Sequence, residues 1–101
     1  TDDSGTLLQT VAGQKGAIGY VALSYLMNNT TVSTIAIDGV EPTLENTYNG
    51  TYPVWGYEHM YIKGEATGAV KAYIDYMMSD EFGGLIEAQG YNVSSKMTVT
   101  R

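Results

Sequence analysis

The chain has no cysteine, so disulfides, thiolate catalysis and cysteine-based zinc sites are excluded from the start. It has one histidine and one tryptophan. A pair of histidines at metal-ligating spacing cannot be built from one imidazole. Lysine and arginine total five against eleven acids, giving a net charge of −6. The cations are scattered singly, whereas nucleic acids and anionic membrane surfaces call for a basic face. No apolar run reaches the length that a membrane-spanning helix requires. The sequence opens at Thr1-Asp2-Asp3 without Met, which reads as a processed or truncated product.

What remains suits one folded unit over residues 1–101. Hydrophobic residues make up 44% of the chain, enough to argue against disorder. Nine tyrosines stand against one phenylalanine. That balance favours half-buried rings with wet hydroxyls. A chain of this size buries only about 60–70% of its unfolded surface, so stability depends on a well-filled core.

The densest stretch runs from Thr51 to Tyr61. It holds the tryptophan, the histidine and three tyrosines. After a turn at Asn49-Gly50-Thr51, alternation predicts a strand from Val54 to Lys63. Trp55, Tyr57, His59 and Tyr61 would share one face. Two more strands are expected, at Ala17–Leu23 and at Val32–Ile37, the second closed by an Asp38-Gly39 turn. Helical signals frame them. Ser4 is the expected cap of a helix over Gly5–Ala12, and Leu44–Asn46 suggests a single turn. Thr67 would open a helix to Met78 with Val70, Tyr73, Ile74 and Met77 as its stripe. Ser79 caps the next, with Asp80 and Glu81 in its first turn and Gly90 just past its end. The mixture predicts an α/β fold, a mixed sheet with flanking helices.

Few residues invite chemistry. His59 is expected to be a structural strand residue, since the adjacent Glu58 falls on the opposite face. The paired acids Asp2-Asp3 and Asp80-Glu81 read as solvated partners of helix dipoles. Four short Asn-x-Ser/Thr patterns begin at Asn28, Asn29, Asn49 and Asn92 and indicate only loops. Ser4-Gly5-Thr6 is the one candidate ligand-binding triplet. Two hydroxyls and free N–H groups at a helix start suit an oxyanion, and an ordinary cap is the competing reading.

Several stretches occur in a telling order: Gly16-Ala17-Ile18-Gly19-Tyr20-Val21 with Ser24-Tyr25, Ile37 to Thr43, Asn49 to Pro53, Trp55 to Gly64, then Phe82 and Gly90-Tyr91. Together they resemble the C-terminal part of the phosphate-binding protein of bacterial phosphate ABC transporters, in its Gram-positive, lipid-anchored form. The resemblance covers essentially the whole chain. It implies a lobe fragment of a type II periplasmic-binding-protein fold, the C-terminal portion of a two-lobed, extracytoplasmic receptor. Such receptors are not enzymes and use no cofactor. They close around inorganic phosphate and deliver it to a membrane permease. The family binds the anion with an Arg followed shortly by Ser-Gly-Thr, with helix-start N–H groups and with an Asp that accepts a proton from the ligand. Ser4-Gly5-Thr6 looks like that triplet but stands just before the Ala17 strand, where the family carries a polar helix start. The resemblance therefore implies a cap that mimics the motif, and a chain lacking most of the anion site. Self-association of a freestanding domain through an exposed sheet edge is the alternative.

Overall fold

The computed structural model describes residues 2–101. Four helices account for its regular structure: α1 (Ser4–Gly13), α2 (Leu44–Tyr48), α3 (Gly68–Met77) and α4 (Asp80–Ala88). Short 3₁₀ turns stand at Leu23–Tyr25 and Ser94–Lys96.

Local chemistry explains the helix ends. Ser79 caps α4 by accepting a bond from the Phe82 N–H at 3.3 Å, and Thr43 caps α2 by accepting from the Asn46 N–H at 3.1 Å. Both leave one fewer orphan donor in the first turn. At α1 the cap is Asp3, not Ser4. The Asp3 carboxylate accepts from the Thr6 N–H at 2.7 Å and again from the Thr6 hydroxyl at 2.7 Å. A carboxylate accepts both bonds and opposes the positive end of the dipole, which a serine hydroxyl does less well. Past α4, Gly90 adopts φ +86°, and the space where a Cβ would stand lies 2.9 Å from Ser24 Cα. Both its left-handed backbone and this close approach call for glycine.

The three expected strands do not form ladders. Among the described residues the one β-bridge joins Ile37 to Val40 across the Asp38-Gly39 turn. Asp38 and Gly39 there have φ of 52° and 79°, as a tight hairpin turn demands. Residues 17–22, 32–36 and 54–63 belong to neither helix nor ladder. The expected mixed sheet is thus not seen among the described residues. Alternation specifies which side chains share a face, but a ladder also needs a neighbour in register, and no segment supplies one.

The packed part sits at the C-terminal end. Val93 is the one buried apolar side chain among the described residues. It lies against α4, where a Cβ on Gly83 would come 3.1 Å from Val93 Cγ2. Tyr76 of α3 and Phe82 of α4 pack with ring centres 5.4 Å apart. On α1, Leu7 and Val11 lie over Gly19. Of the expected α3 stripe, Ile74 and Met77 are half-buried, whereas Val70 and Tyr73 are exposed.

A polar hub crosses this packed region. The Tyr48 hydroxyl donates to Glu87 Oε1 at 2.5 Å and accepts from the Val93 N–H at 2.8 Å. Lys96 Nζ bonds the other carboxylate oxygen of Glu87 at 2.8 Å. Asn92 Nδ2 reaches the Leu44 carbonyl at 2.9 Å. These bonds join α2, α4 and the Ser94–Lys96 turn. Desolvation, helped by the bond to Glu87, raises the Tyr48 hydroxyl above its ordinary pKa. The bonds from Lys96 and Tyr48 hold Glu87 below its ordinary value, and the bond to Glu87 raises Lys96.

Tyr48→Phe leaves the Val93 N–H without its acceptor and Glu87 Oε1 without its donor, while Lys96 still holds Oε2. We expect it to cost about 1–3 kcal/mol, read as a lower urea midpoint at unchanged slope. The pH dependence follows from the same bonds. The Glu87 contribution is present above its unfolded pKa and is lost as pH falls through the depressed folded value. Those of Lys96 and Tyr48 are complete below their unfolded values and are lost as pH rises through the raised ones. Stability should hold level between about pH 5 and pH 9 and decline on both sides. Glu87→Gln should make the acid decline shallower, with Asp3, also held low by its Thr6 bonds, sustaining the rest.

Candidate functional site

An open groove of about 820 Å³ runs between the helices and the irregular segments. Leu7, Val11, Ile18, Trp55, Phe82 and Ile86 are among its lining residues. Its walls are largely apolar, and no described group of three or more His, Asp or Glu side chains could hold a metal ion. A groove of this kind can accept apolar side chains.

The aromatic stretch forms part of this wall. Trp55 and Tyr57 meet edge to face with ring centres 5.4 Å apart, and the His59 and Tyr61 rings lie 6.1 Å apart. The alternation read from the sequence therefore survives locally, residue i beside residue i+2. Its expected burial does not. Trp55 is half-buried, His59 is exposed, and Tyr61 is 88% exposed. The stretch is a wall largely open to solvent, with the Arg101 guanidinium over the Trp55 ring.

Ser4, Gly5 and Thr6 form the first turn of α1. A small cleft there is lined by Asp2, Asp3, Ser4, Leu7 and Tyr20. The Thr6 hydroxyl and N–H are both given to Asp3, and those bonds hold the Asp3 carboxylate below its ordinary pKa. The turn therefore already carries an anion of its own. A second anion would meet repulsion from Asp3 and from Asp2 beside it.

The cations do not converge either. Lys71 pairs with Asp75 at 2.6 Å along α3, and Lys96 pairs with Glu87. Arg101 stacks 4.6 Å from the centre of the Trp55 ring and donates to the Pro53 carbonyl. Sequence reasoning missed both Tyr48 and Arg101. Their partners lie 39 to 48 residues away, and no local pattern marks such pairs. The surplus of tyrosine was the only hint for Tyr48.

Comparison with known proteins places this geometry in a lineage. The chain is 44% identical over 101 residues to the phosphate-binding protein PstS of Bacillus subtilis, across 99% of this chain and 33% of that protein. It is 32% identical over 92 residues to phosphate-binding protein PstS 2 of Streptococcus agalactiae, in both the serotype V and serotype III strains. Those matches cover 90% of this chain and 31% of each relative. The chain thus spans about a third of the length of the curated relatives it matches. No solved structure matches it. The description PBP superfamily domain matches residues 2–81, and the chain belongs to that superfamily, whose fold is the periplasmic-binding-protein type.

Proposed function

We propose that this chain is part of the phosphate-binding component of a bacterial ABC transporter, contributing scaffold and little of the anion site. The observation that carries the proposal is the 44% identity, sustained over the whole chain, to a relative named for binding phosphate. In the full receptor two lobes close around inorganic phosphate outside the cytoplasm, with a lipid anchor or in a periplasm, and deliver it to a membrane permease. The task is binding, and no reaction is assigned to it.

The surface supports the scaffold role. The chain exposes 7,700 Å², whereas scaling from its mass gives about 5,600 Å² for a compact monomer. Its radius of gyration is 16.1 Å, against about 13 Å for a compact chain of this length. Large apolar side chains such as Ile18, Tyr20 and Val54 stand in the open. In our reading residues 17–22, 32–37 and 54–63 take sheet neighbours from further polypeptide of the receptor, which also brings the anion site with its Arg followed shortly by Ser-Gly-Thr. Ser4-Gly5-Thr6 then serves as the first turn of a helix capped by Asp3. The same surplus surface favours a second reading, self-association of a freestanding domain. Sedimentation distinguishes the two, because a stable dimer supports self-association.

Calorimetry with inorganic phosphate at neutral pH tests the main reading. The chain alone should show no binding at concentrations up to about 1 mM. Exchanged for the matching third of the Bacillus subtilis relative, it should yield a chimera that binds phosphate, with affinity unchanged by Ser4→Ala or Thr6→Ala. Micromolar binding by the chain alone would overturn the placement of the site. A folded chimera that binds no phosphate would overturn the function.

A further inference from the structure

The last residues of the chain follow the 48–55 stretch in the same order. Thr98 donates to the Tyr48 carbonyl from its N–H at 2.9 Å and from its hydroxyl at 2.8 Å. Val99 lies over Gly50, where a Cβ would come 2.8 Å from Val99 Cγ1. Gly50 also has φ +74°, so glycine is needed there twice over. Arg101 then reaches the Pro53 carbonyl and covers the Trp55 ring. Met97 and Trp55 both line the apolar groove.

We propose that residues 97–101 are a strap that clamps Trp55 at the rim of the groove and sets how far the groove opens. The clamp is chemically suited to reversible release. Its two ends are the Thr98 N–H and hydroxyl bonds to the Tyr48 carbonyl and a guanidinium on a half-exposed ring, contacts that are each weak alone. Beyond Trp55 the segment has no backbone hydrogen bond to the rest of the chain until α3, among the described residues. Position along 54–63 is therefore set at the strap and at α3. The Tyr48 hydroxyl bonds elsewhere, to Glu87 and Val93, so releasing the strap leaves the hub in place. None of this depends on the phosphate reading.

Trp55 is the only tryptophan, so its fluorescence reports this site alone. In Arg101→Ala, acrylamide quenching of Trp55 should rise about twofold, as loss of an exposed cation–π contact implies. Thr98→Val, at the other end of the strap, should raise it as well. The helical circular dichroism of both variants should match the parent. Unchanged quenching in both variants would overturn the proposal. So would a parallel loss of helix, which would make residues 97–101 part of the common core and not a separable strap.

Discussion

One phenol holds together segments that are remote in sequence. Tyr48 stands at the end of α2, and its hydroxyl binds Glu87 on α4 and the backbone of Val93. In most domains such a bond would be a minor addition to an apolar core. Here Val93 is the one buried apolar side chain described, so the directional bonds around it carry an unusual share of the tertiary order. Partial desolvation strengthens them and makes each unmade partner costly. Glu87 accepts from Tyr48 and from Lys96 on separate oxygens, so one carboxylate fixes both neighbours. The Asn92 bond to the Leu44 carbonyl adds a second tie between the same two parts of the chain.

The sequence revealed what is local. Ser79 with Asp80 and Glu81, and Gly90 after α4, are contained within a turn or two of the helix they bound, and each stands where its chemistry places it. The cap of α1 lay one residue earlier than expected, because Asp3 and Ser4 both have the right chemistry and only geometry separates them. The strands show the opposite case. Trp55, Tyr57, His59 and Tyr61 keep their i, i+2 neighbours, yet a strand becomes a sheet only through a partner. Val70 and Tyr73 show the same limit on a helix, since they share a stripe with the half-buried Ile74 and Met77 and yet stay exposed.

The candidate site was less legible than the fold, for an electrostatic reason. Ser-Gly-Thr at a helix start has the right donors for an oxyanion, and three residues cannot disclose what already occupies them. Asp3 does so, taking both the N–H and the hydroxyl of Thr6. The net charge is −6, and three of the five cations are engaged elsewhere, Lys71 and Lys96 in ion pairs and Arg101 on an indole.

The charge distribution and the surplus surface point the same way. An anion receptor concentrates donors where the ligand sits, whereas this chain concentrates aromatic and aliphatic side chains along an open groove. Such a surface forfeits burial energy of about 25 cal/mol per Å² of exposed apolar area, which covering by further protein would recover. The strap over Trp55 bears on that surface. In the proposal above it holds one end of the aromatic segment at Trp55, from which Tyr57, His59 and Tyr61 follow in alternating order. Arg101 on the Trp55 ring thereby links two facts that otherwise look unrelated: an aromatic stretch with strand periodicity, and the absence of any strand beside it.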